Sequence, residues 1–188
     1  MDIIILGFLI LLNGLFSMSE IALVSARKAR LESQAERGDK KARLALEMSS
    51  HPEMFLSSVQ IGITLISIVT GVYSGEKFSK DLQPVVERIE LFQPYAEAIS
   101  TTLIVIVVTF VSIIFGELIP KRIGLIRSEK IAKAVAGPMR LFARIFHPIV
   151  WLLNKTSNLF FRIFNIRRMK EDAVTEEEIK TLITEGAE

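Results

Sequence analysis

The stretch AISTTLIVIVVTFVSIIFGELIP, residues 98–120, decides the fold. Residues 98–116 carry no Asp, Glu, Lys or Arg, and a run of about 20 apolar residues is what an α-helix needs to cross a bilayer. Its many β-branched side chains are tolerable in lipid, because there the backbone finds hydrogen bonds only within a helix. Two further uncharged blocks occupy residues 3–19 and 54–75. Half of the 188 residues are hydrophobic, and their collection into three blocks marks an integral membrane protein rather than a soluble domain. The first block could be a secretory signal, but it lacks a basic leading region and a clear cleavage site, and it runs on through IALVSA after Glu20. It is read as a mature span. The expectation is an all-α transmembrane domain over residues 1–128, with spans at about 2–26, 54–75 and 98–119.

The net charge of +2 says little, whereas the placement of the cations says more. Residues 27–43 hold seven Lys and Arg, residues 76–97 hold three, and the chain after Glu117 holds thirteen. The positive-inside rule then puts the first loop and the C-terminal part in the cytoplasm of a multi-pass plasma-membrane protein. The N-terminus and the acidic loop over 76–97 are expected outside. The chain has no cysteine, so disulfides are excluded. Its basic groups lie beside spans, which favours anionic lipid over nucleic acid as their partner. No nucleophile elbow, phosphate loop or zinc-protease motif is found, so no enzyme is expected.

The helical period of span one continues into basic sequence, which predicts a helix running out of the membrane into a charged connector broken at Gly38. Pro120 is expected to end or kink span three. Beyond it, residues 131–164 repeat apolar positions at helical spacing but are interrupted by Arg140, Arg144, Lys155 and Arg162. The longest uncharged run there, residues 145–154, is too short to span. Residues 129–168 therefore read as a pair of amphipathic helices in the cytoplasmic interface, bent near Pro148, with basic groups toward headgroups and Trp151 and the Phe side chains toward acyl chains. A fourth span is the alternative. In the tail, Thr175 and Glu178 form a capping-box pattern for a soluble helix.

Ionisable groups inside spans are costly and mark ion or substrate paths by default. Glu20 and Glu117 both stand near the cytoplasmic ends of their spans. Gly116 and Pro120 around Glu117 point to irregular backbone, tolerated at membrane depth where it lines a cavity. The plainer alternative is an ion pair with Lys121 one turn on. Asn13, Ser17 and Glu20 share a face of span one, and Ser57, Gln60, Thr64, Ser67 and Gly71 share a face of span two. Such seams often only let helices pack. As ligands, hydroxyls, carbonyls and a carboxylate are hard oxygens suited to Mg²⁺, Ca²⁺ or Na⁺. His51 and His147 each adjoin a proline and read as turn or headgroup contacts.

Four stretches, FSMSEIALVSARKARLE, FLSSVQIGITLIS, FGELIPKRIG and VTEEEIKTLITEG, together resemble the CorC and cyclin M (CNNM) magnesium transporters, hemolysin-like membrane proteins that carry CBS domains. The resemblance implies three spans with a juxtamembrane helical hairpin, assembled as a homodimer. It makes residues 169–188 the start of a linker to cytoplasmic CBS modules. It implies a dehydrated Mg²⁺ among the spans, and carried onto this chain the ligands are Ser17, Ser19, Ser67, Gly116 and Glu117. Asn13, Glu20, Gln60 and Thr64 become further ion-path positions, with Pro120 and Gly71 structural. Many members carry two asparagines four apart in span two, where this chain has Ile63 and Ser67. The function so implied is Mg²⁺ export coupled to Na⁺ entry. The rivals are a membrane anchor that senses an ion without moving it, and a structural protein whose hydroxyl seam joins a dimer.

Overall fold

The computed structural model describes residues 1–50 and 52–164. His51 and residues 165–188, with the Thr175–Glu178 capping pattern and the expected linker, lie outside the described residues. Among the described residues every regular element is helical: α1 (Asp2–Ser25), α2 (Lys28–Glu36), α3 (Lys40–Ser50), α4 (Pro52–Val86), a 3₁₀ turn (Gln93–Tyr95), α5 (Ala96–Ile113), a π turn (Ile114–Leu118), α6 (Ile119–Ile126) and α7 (Ser128–Ile163). Three stretches are long and apolar enough to cross a membrane, Asp2–Ser25, Pro52–Val86 and Gln93–Ile126. The expectation of three spans holds, and α7 is not among them.

Several boundaries differ from the sequence reading. Helix α1 does not run on into the basic connector; it stops at Ser25, and Ala26 is extended at φ −65°, ψ 132°. No glycine or proline marks that break. Burial does, because Ala26 and Leu31 both enter the core and a straight helix would carry them away from it. Gly38 separates α2 from α3 with φ +91°, a conformation that costs glycine little. Helix α4 continues through the first part of the expected loop to Val86. Its solvated end is supported by the Glu76–Lys80 pair at 3.5 Å and by Gln83 Nε2 donating to Glu87 Oε1 at 2.8 Å.

Residues 128–163 form one helix where a pair was expected, with Pro138 and Pro148 both inside it. Each proline removes one helical hydrogen bond at about 3 kcal/mol, and burial of a packed stripe along α7 opposes that cost. Ala132, Val135, Ala136 and Met139 recur at spacings of three, one and three and are buried in one cluster with Leu31, Ala42, Ala45 and Met48 of the α2–α3 hairpin. Phe142 meets Phe16 of α1 edge-on at 4.6 Å and stacks on Phe146 at 4.3 Å. Phe142 thus packs on α1, while the Phe142 and Phe146 rings both remain half-buried.

Three ion pairs flank the stripe: Arg30–Glu129 at 3.4 Å, Asp39–Lys133 at 3.0 Å and Glu47–Arg140 at 3.5 Å. Residues 1–150 form one compact unit, and the described residues from Trp151 belong to another. In the second, Lys155 Nζ lies 4.9 Å over the Trp151 ring and Phe160 meets Phe164 at 4.4 Å.

Candidate cation site

The site is built around one missing amide. In a regular α-helix the amide of residue 120 would donate to the carbonyl of Gly116, but Pro120 has no N–H and its ring crowds that carbonyl. The backbone widens into the π turn, in which the Ile119 amide reaches back five residues to Ile114 O. The orphaned Gly116 O accepts instead from Asn13 Nδ2 of α1 at 3.3 Å, a buried bond. Span three thus passes Pro120 and continues as α6. Helix α1 approaches it closely at two glycines. A Cβ on Gly14 would lie 2.9 Å from Pro120 Cγ, and one on Gly124 would lie 2.8 Å from Met18 O.

The wide turn brings Glu117 to the same side as Thr109 and Ser112 of α5. All three line a partly open cavity of about 150 Å³ between α1, α4 and α5. Asn13 enters from α1, and Ser67, Thr70, Gly71 and Ser74 enter from α4, while Ile10, Val105, Val108 and Ile113 supply an apolar wall. Two lining polar atoms, Asn13 Oδ1 and Ser112 Oγ, are buried with no hydrogen-bond partner among the described residues. Each such orphan costs about 1–3 kcal/mol.

Glu117 Oε1 also pairs with Lys121 Nζ at 2.7 Å, and Lys121 stands 3.9 Å from Glu20 Oε2. Two carboxylates against one ammonium leave a negative charge in excess. The ion-pair alternative and the cavity-lining reading of Glu117 therefore describe the same side chain.

Of the residues singled out from sequence, the cavity gathers Asn13, Ser67, Gly71 and Glu117. Gly116 is buried beside it and engaged by Asn13. Ser17 is fully buried but does not line the cavity, and its Oγ has no partner among the described residues. Ser19 donates to Leu15 O within α1 at 2.6 Å. Gln60 and Thr64 are exposed on α4, away from the lining. Thr70 and Ser74 of α4, and Thr109 and Ser112 of α5, were missed. The signal was present: Thr70 and Ser74 stand three residues after Ser67 and Gly71, so they continue the three-and-four spacing of the same seam. Nothing in the spacing of Ser112 and Glu117, five apart, announces a shared face, because only a π turn aligns them.

Three apolar spans around a cavity of mixed lining, one of them broken at a Gly-Glu-x-x-Pro turn, define a multi-pass membrane domain. Residues 4–188 match the cyclin M transmembrane N-terminal domain family, and the chain belongs to it. The UPF0053 protein sll0260 of Synechocystis sp. is 45% identical over 188 residues, which are 100% of this chain and 42% of that protein. A polyamine export protein of Salmonella typhimurium is 35% identical over 186 residues, 99% of this chain and 41% of that protein. The UPF0053 protein YhdT of Bacillus subtilis is 33% identical over 187 residues, 98% and 41% respectively. The chain thus spans about two fifths of the length of these relatives.

Proposed function

We propose that this chain is the membrane-embedded part of a cation exporter, and that its cargo is an organic ammonium of the polyamine type held at Glu117. The observation that carries the reading is the mixed lining of the 150 Å³ cavity, which joins Glu117 and two residues with unpartnered buried oxygens, Asn13 and Ser112, to an apolar wall. An alkylammonium uses both sides: its three N–H groups want oxygen acceptors, and its methylenes want apolar cover. The naming of relatives such as the Salmonella typhimurium protein for polyamine export supports the same cargo.

Mg²⁺ export, coupled to Na⁺ entry, is the second reading, and the hard-oxygen donor set favours it together with the likeness to magnesium transporters. Against it stand Ile63 in place of a side-chain oxygen and the demand of Mg²⁺ for near-octahedral oxygens at about 2.0–2.1 Å. The distribution of Lys and Arg supports an outside N-terminus, with α2, α3 and α7 on the cytoplasmic side. A homodimer is the expected assembly, and α5, whose Leu103, Ile106 and Phe110 are exposed, offers a surface for it.

The test is flux from proteoliposomes holding the full chain, with spermidine inside one set and Mg²⁺ inside another, for wild type and Glu117→Gln. Spermidine release that falls at least roughly tenfold in the variant, in line with loss of a charge-assisted contact, supports the first reading. Release of Mg²⁺ alone, lost in the variant, transfers the assignment to the second. Flux of either cation that survives Glu117→Gln overturns the site.

A further inference from the structure

A second cavity, of about 610 Å³, lies well away from Glu117, between α3, the start of α4 and α7. Its floor is apolar: Met48, Phe55 and Ala143 are buried there. Its rim is basic, with Arg140, Arg144 and His147 exposed at spacings of four and three, which places all three on one face of α7. Glu47 also lines it and holds Arg140 at 3.5 Å. The Arg144 and His147 side chains have no hydrogen bond or ion pair among the described residues.

The height of the cavity in the membrane follows from Met54, which lines it and is the first residue of the uncharged block 54–75. The rim therefore stands where α4 passes from headgroups into hydrocarbon. An isolated basic helix face is ordinarily just solvated. Here the cations ring an apolar floor at the one depth where a single molecule offers both a phosphate and a hydrocarbon chain.

We infer that this cavity binds one anionic phospholipid, its phosphate against Arg144, Arg140 and His147 and the start of an acyl chain over Met48, Met54 and Phe55. Glu47 offsets one arginine, so the rim keeps net positive charge and selects an anionic headgroup over a zwitterionic one. A soluble phosphate would use the rim and leave the floor unfilled. The site is independent of the cargo assignment.

Native mass spectrometry of the full chain, released from bilayers of mixed phosphatidylglycerol and phosphatidylcholine, reads the retained lipid directly. Wild type is expected to keep one phosphatidylglycerol per chain. Arg144→Gln with His147→Gln should lower retention at least roughly fivefold, since a basic group near an anionic surface contributes about 1 kcal/mol, with the melting temperature in pure phosphatidylcholine unchanged. Glu47→Gln, which frees Arg140, should raise it. Equal retention of the two lipids, unaltered retention in the double variant, or displacement of the lipid by millimolar inorganic phosphate overturns the proposal.

Discussion

Lys121 puts an alkylammonium where the proposed cargo would put one. Its Nζ sits 2.7 Å from Glu117 Oε1 and has a second carboxylate, Glu20, at 3.9 Å to which it can withdraw. A cation proposed to bind Glu117 would compete with this tethered ammonium for Oε1, and Glu20 offers the displaced ammonium a second carboxylate. Lys121→Gln removes the competitor. Spermidine binding, measured by isothermal titration, is expected to tighten, by about tenfold for each 1.4 kcal/mol of competition removed. Weaker binding would mean that Lys121 helps to hold the cargo or the turn. Pro120 acts through the backbone instead: it withholds one amide, and the carbonyl it frees is the anchor point for Asn13.

At the scale of elements, the α2–α3 hairpin and α7 are held as a unit, and Asp39 is the joint. Its Oδ1 caps α3 by accepting from the amides of Lys41 at 2.9 Å and Ala42 at 3.1 Å, and its Oδ2 meets Lys133 at 3.0 Å. Lys133 also donates to Gln34 Oε1 at 2.7 Å. The hydrogen bond from Lys133, and after it the amide of Ala42, holds the Asp39 carboxyl below its ordinary value of 3.8. A carboxyl depressed on folding contributes stability that is full above its unfolded pKa and is lost as pH falls through the folded one. Amide exchange at the start of α3 should therefore accelerate as pH falls below about 4, beyond the intrinsic pH dependence of exchange. Asp39→Asn should show the faster exchange already at neutral pH. A profile that is the same in both proteins would remove Asp39 from that role.

For the whole molecule, the orientation proposed from the charge distribution sets a packed basic end of the spans against an open one. The buried cluster joins α1, the α2–α3 hairpin, α4 and the first half of α7 at the basic end of the spans. At the other end α4 projects to Val86, and the connection to α5 is short and exposed. The absence of cysteine from the sequence makes the orientation directly measurable. Glu90→Cys, in the exposed connection, should react with a membrane-impermeant maleimide added to intact cells, while Glu36→Cys at the end of α2 should react only after the membrane is opened. The reverse pattern would invert the topology.

Sequence alone determined that there are three spans and roughly where each lies, that an acidic residue sits at a Gly-Pro break in the third, and which family the chain resembles. These depend on composition and on local covalent rules: uncharged length, the helical period, and the amide that proline lacks. Tertiary structure decided the rest. The end of α1 at Ser25 follows from burial of Ala26 and Leu31, and the single α7 from its stripe packing on α2 and α3. The membership of the cavity depended on the π turn, since a turn with five-residue hydrogen bonds rotates Glu117 onto the face of Ser112, and no count along the chain distinguishes it from a turn of four. Where a side chain points after such a turn is set by the helix packed against it, here α1 through Gly14 and Asn13, and that partner lies about a hundred residues away in the chain.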